Sequence, residues 1–150
     1  MSKKSKQPII ILLDYVNQFP AKEGFFELKW SYEKQKGVFF PINLQNNKTI
    51  IFKTTDMIET HVDEKGSKHH LRLTFNEVSA DGKEKVKEIA SGKVELTAHL
   101  QNDEKKKVSV KMEMENKKTF DLFVNIYNRN LTTFEDDSQQ KMQMEFTAQD

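Results

Sequence analysis

A chain of 150 residues with 24 lysines and arginines against 23 acidic residues has a formal net charge of +1, so no global field draws it to nucleic acid or to an acidic membrane. With 36% apolar and 31% charged residues the core must be thin, and the absence of cysteine removes disulfides, thiolate nucleophiles and thiolate metal ligands. The length suits one compact domain that buries roughly two-thirds of its surface on folding.

Met1 to Gln7 reads as a short basic tail with no apolar h-region of signal length behind it, so no secretory signal is expected. The apolar run Ile9 to Leu13 is far too short to cross a bilayer. The acceptor patterns at Asn47 and Asn130 therefore carry no glycosylation reading. The first strand is expected at about Pro8 to Gln18, with a turn through Phe19 to Gly24. A second strand, Phe25 to Tyr32, puts Phe26, Leu28, Trp30 and Tyr32 on one face. Glu33 to Gly37 is a turn by composition. Val38 to Leu44 and Thr49 to Thr54 follow as strands, and Asp56 to Val62 is either a brief strand or an irregular connection.

Beyond a polar loop at Asp63 to Lys68, Leu71, Leu73 and Phe75 take one parity of the next strand. It ends at Asp81-Gly82, a pair suited to a turn that needs positive φ. Lys83 to Leu100 is long, with Gly92, Val94 and Leu96 sharing a face. The clearest alternation is Lys107 to Met114, where Val108, Val110, Met112 and Met114 oppose Lys107, Ser109, Lys111 and Glu113. A hairpin through Glu115 to Lys118 leads to Thr119 to Tyr127, with Phe120, Leu122, Val124 and Ile126 inward. No fixed-period repeat is evident. About eight short alternating segments with polar turns predict an all-β fold, an eight-stranded antiparallel β-sandwich. The expected organisation is a basic N-terminal tail at 1–7, the sandwich at 8–128 and a polar C-terminal tail at 129–150.

The stretch Gly24-Phe-Phe-Glu-Leu-Lys-Trp30, entered from a strand through a Phe-Pro turn, resembles the opening of an N-terminal-type C2 domain. Leu71 to Glu77 is similar to that family's strand ending in Glu. Ile89 to Leu96 is similar to its Leu-Gly-X-Ala-X-Ile-X-Leu strand, with Ala90 and Gly92 in exchanged places. The closing hairpin, Val108 to Met114 and Thr119 to Val124, resembles the terminal strand pair. The resemblance spans roughly residues 8 to 128. It implies a C2-like sandwich used as a membrane- or protein-docking module.

Calcium in such a module needs clustered carboxylates on loops at one end. The first loop offers only Glu23, and Asp81 stands alone in its turn, so calcium independence is expected. Glu135, Asp136 and Asp137 read as solvating charge in the tail. The histidines are His61, His69, His70 and His99. His69 and His70 would point to opposite strand faces, which disfavours a shared metal. No nucleophile elbow, triad or phosphate-binding glycine loop is present among five glycines. The expectation is therefore no enzyme, no catalytic residue, no metal, no cofactor and no small-molecule substrate.

Lysines dominate the cations, with Arg72 and Arg129 the only arginines. Lysine is a hydrated point charge, which disfavours bidentate base readout, and no nucleic acid is expected. Lys29, Lys34, Lys36, Lys48 and Lys53 fall along the second to fourth strands. In C2-like domains such a patch can hold anionic phospholipid headgroups. Interleaved Glu27, Glu33 and Glu113 weaken it, and a solvated outer sheet face is the bland alternative. Outward aromatics at Phe25 and Phe39 would suit a protein partner. The alternating Met142, Met144 and Phe146 could add to an exposed sheet edge. The leading expectation is a scaffold or docking module binding a protein partner, with a phospholipid-binding module as the alternative. Its expected place is cytoplasmic, peripheral to membrane or cytoskeleton.

Overall fold

The computed structural model describes residues 6–53, 55–63, 70–81 and 83–131. Among these residues nine strands run in chain order as β1 (Lys6–Val16), β2 (Gly24–Tyr32), β3 (Gln35–Leu44), β4 (Ile50–Ile51), β5 (Met57–Asp63), β6 (His70–Val78), β7 (Lys85–Glu95), β8 (Lys106–Met114) and β9 (Thr119–Asn128). A 3-10 turn, Leu96–His99, follows β7 and takes the end of what the sequence reads as one long strand. All pairings are antiparallel, in the order β3-β2-β6-β7-β8-β9-β1-β4, with β5 also on β1.

One narrow seam turns this sheet into a sandwich. β7 pairs with β8 only at Ala90 and Ser91, a far shorter ladder than those on either side. The half β3-β2-β6-β7 then folds over the half formed by β8, β9, β1, β4 and β5. Gly92 sits beside the seam, where an added Cβ would stand 2.6 Å from the Lys111 carbonyl oxygen. A side chain there would push the halves apart, which gives the glycine a packing reason rather than a conformational one.

Alternation of burial follows the expected parity in β8 and β9. Val110, Met112, Phe120, Leu122, Val124 and Ile126 are buried, while Lys107, Ser109, Lys111 and Glu113 are exposed. The region 49–62 differs from expectation. β4 and β5 are two pieces of one edge course running along the whole of β1, from Val16 opposite Ile50 to Lys6 opposite Asp63. The course is interrupted at Lys53, whose N–H donates to Asp56 Oδ2 at 2.9 Å while the Asp56 N–H donates to the Lys53 carbonyl at 2.8 Å. This side-chain closure competes with the ladder, so the periodicity breaks where Asp56 takes the backbone donor.

The turn between β2 and β3 is also tighter than composition suggests. It needs only Glu33 and Lys34, with Glu33 at φ 54, so β3 begins at Gln35. Gln35 then reaches the free edge of β5. Its amide accepts the His61 N–H at 3.1 Å and donates to the His61 carbonyl at 3.4 Å, closing one sheet edge with a side chain.

The core holds one apolar layer between the halves. Phe19, in the β1–β2 loop, has no solvent exposure. Its ring lies edge-on to Phe26, Phe75 and Phe120, with centroids at 5.0, 5.3 and 5.4 Å. Gln18 before it adopts φ 62, which turns the chain so that Phe19 points inward. Thr60 is wholly buried on the core side of β5, and its hydroxyl has no partner among the described residues. Replacing that hydroxyl by a methyl of the same shape removes an uncompensated polar group. Thr60→Val should therefore stabilise the fold by about 1 kcal/mol. Calorimetry should show this as a Tm raised by about 2–4 °C, and a lowered Tm would mean that the hydroxyl is in fact satisfied.

Candidate functional site: a basic groove across four strands

Side chains on the outer face of β3, β2, β6 and β7 are fixed by strand register. Lys36 lies opposite Ser31, Ser31 opposite Arg72, and Arg72 opposite Lys93. Neighbouring strands are about 4.8 Å apart, so this row carries three cations within about 14 Å. The next row along the strands is Val38, Lys29, Thr74 and Ser91, and the one after it Glu27, Asn76 and Glu88. Positive potential is therefore concentrated at one end and falls toward the carboxylates at the other.

The face is concave. A groove of about 550 Å³ is lined by Lys29, Trp30, Ser31, Lys36, Gly37, Val38, Arg72, Thr74, Asn76, Lys85 and Glu88. Four of these are cations and Glu88 is the only carboxylate among them. Trp30, half-buried, lies over Gly37, where a Cβ would stand 2.5 Å from the indole Nε1. Bare backbone at Gly37 thus lets the single tryptophan of the chain cover the β3 edge and form one wall. Val38 beside it is 40% exposed. At the acidic end Glu27 is buried, and its Oε2 accepts a 2.7 Å hydrogen bond from Asn76 Nδ2. That bond ties β2 to β6 under the groove and holds the carboxylate in place.

The expected lysines divide. Lys29 and Lys36 line the groove, and Lys34 lies in the exposed β2–β3 turn. Lys48 belongs to the β3–β4 loop beside Asn17, Gln18 and Lys22, and Lys53 to a separate cleft between β3 and β4. Arg72, Lys85 and Lys93, which the sequence did not single out, complete the basic face. Strand parity placed Arg72 outward, but only the register brings it between Lys36 and Lys93. Of the aromatics, Phe25 is half-buried on the outer parity of β2. Phe39 is half-buried against the core, opposite Leu28. Met142, Met144 and Phe146 lie outside the described residues.

Groups that could coordinate a metal are occupied or apart. Asp81 accepts from the Ser79 hydroxyl at 2.6 Å and from the Lys83 N–H at 2.9 Å, and these bonds hold its carboxyl below the usual range. The Asp81 side chain thus caps its own turn. His61 contacts Glu59 at 3.4 Å, while His99 contacts Asn102 Nδ2 through Nδ1 at 3.0 Å. Burial of His99 lowers its pKa, with Glu95 opposing. His69 lies outside the described residues. Among the described residues no three His, Asp or Glu are grouped to hold a metal ion, and no helix is long and apolar enough to cross a membrane.

No protein-family model matches the sequence, and no curated protein matches it. Solved structures match through the fold. A C2 domain of a plant extended synaptotagmin 1 superposes with a TM-score of 0.65 at 10% identity, over 84% of this chain and 96% of that one. A C2 domain-containing protein from an elicitor-responsive gene gives 0.63 at 8% identity, over 85% of this chain and 91% of that one. A human GIVD cytosolic phospholipase A2, bound to methyl gamma-linolenyl fluorophosphonate and terbium chloride, gives 0.62 at 7% identity, over 85% of this chain but only 18% of the phospholipase. At such identities the likeness is one of architecture: the chain folds as a C2-like antiparallel β-sandwich.

Proposed function

We propose that this chain is a non-catalytic, calcium-independent docking module that engages anionic phospholipid headgroups in the groove of β3, β2, β6 and β7. The observation that carries this reading is the register row Lys36, Ser31, Arg72 and Lys93. Phosphate groups need several cations converging from different strands, and each cation near an anionic leaflet contributes on the order of 1 kcal/mol. Exposed Val38 and the Trp30 wall add apolar surface at the interfacial depth. The test is flotation with vesicles containing phosphatidylserine and a phosphoinositide, in the presence of a calcium chelator. Wild-type protein should float with these and not with neutral phosphatidylcholine. Lys48→Glu with Lys53→Glu should float nearly as well, since both lie off the groove. Loss of flotation in that pair, or none in wild type, would overturn the proposal.

A protein partner is the second reading, and a different surface favours it. On the outer face of the other half, Tyr15 stacks on Phe123 with centroids 4.8 Å apart, beside Ile51 at 77% exposure and Met57 at 47%. Such a contiguous apolar stripe suits the centre of a protein interface. Co-elution of a defined complex from native cells, lost on Ile51→Asp, would establish it.

A further inference from the structure

β7 outruns β8. Its pairing to β6 extends back to Lys85, while its pairing to β8 stops at Ala90. Among the described residues, the segment Lys85–Ile89 is thus an unpaired sheet edge on the side away from β6, next to the point where β8 turns at Glu115. The surface beside this edge is a cleft of about 420 Å³. Its apolar base is Phe26, half-buried Ile89 and half-buried Met114. Around it stand Glu23, Glu77, Glu88 and Glu115, with Lys87 the one cation among the described lining residues, and Glu113 borders the adjoining hollow.

An unpaired strand edge offers backbone N–H and C=O groups in the spacing that an extended chain matches. A strand added there alternates its side chains, one set toward the apolar base and the other toward the carboxylates. We infer that the β7 edge is a docking site for an extended segment of a partner protein in which basic and apolar residues alternate. Charge complementarity commits the occupant: an acidic or uniformly polar segment would bring like charge or unburied surface to the same place. The site lies on the opposite side of β7 from the basic groove, with Glu88 bordering both. The molecule therefore presents opposite signs to two different ligands.

The experiment uses a synthetic peptide alternating lysine and leucine, and its counterpart with glutamate for lysine, each titrated into the full chain by NMR and followed by amide hydrogen exchange. The lysine peptide should bind and slow exchange at residues 86–89. Glu113→Lys with Glu115→Lys, both exposed, should weaken it by about tenfold or more at unchanged thermal stability. Flotation on anionic vesicles should be unimpaired in that variant, which separates this site from the lipid groove. Equal binding by the glutamate peptide, equal binding by the charge-reversed variant, protection confined to other strands or no binding at all would each overturn the inference.

Discussion

Lys36→Glu combined with Arg72→Glu is expected to abolish measurable flotation on anionic vesicles. The two cations come from β3 and β6 and stand on either side of Ser31 in one register row. The double reversal changes the groove charge by four units, worth about 4 kcal/mol at about 1 kcal/mol per charge near an anionic surface, or close to three decades in affinity. Both side chains are exposed, and no ion pair is found for either among the described residues, so the fold should lose less than about 0.5 kcal/mol. Wild-type binding should also weaken steeply with salt, because the Debye length at about 0.1 M is near 10 Å and shorter than the row. Retained flotation in the double variant, with an unchanged melting curve, would remove the groove from any account of membrane docking.

Phe19→Ala is expected to be the most damaging single truncation. Three aromatic rings from β2, β6 and β9 meet this side chain edge-on, so it joins both halves of the sandwich from a loop. The surrounding strands are hydrogen-bonded on their own ladders and cannot collapse into the space, so the cost should be about 3–5 kcal/mol. Against a typical total of about 5–15 kcal/mol that is a large share, and Tm should fall by roughly 10 °C or more. Urea unfolding measures it directly. A loss below about 1 kcal/mol would mean that the loop, not the ring, carries the contact.

Much of this fold is legible in the sequence because its signal is local. The strict alternation of Lys107 to Met114 and of Thr119 to Ile126 encodes two strands and the face each buries, with no knowledge of their neighbours. The resemblance of Gly24 to Trp30 and of Leu71 to Glu77 to C2 strands pointed to the architecture that the solved structures bear out. The β4–β5 course was harder, since Asp56 captures the Lys53 N–H and splits one edge strand into two short readings. Phe39 was ambiguous for a related reason. β3 is irregular between Phe39 and Ile42 where it passes β2, so parity cannot be carried through Pro41.

The groove was only half legible. Lys29 and Lys36 could be found because β2 and β3 are consecutive. Arg72 and Lys93 could not, because their juxtaposition depends on the registers of β6 against β2 and β7, strands far apart in the chain. Grouping lysines by sequence proximity drew in Lys48 and Lys53, which lie at the β3–β4 end of the sandwich instead. Phe19 illustrates the same limit, since a turn composition hides a side chain that the left-handed Gln18 aims into the core.

The seam at Ala90 and Ser91 sets how the molecule responds to force. A tether pulling on the groove half and an anchor holding the β1–β9 half would load the β7–β8 pairing in series, while every neighbouring ladder runs nearly the length of its strands. Rupture would begin there, with each half-shell still internally bonded and the core between them exposed to water. For a module that links a surface to another body, that seam would be the mechanical fuse.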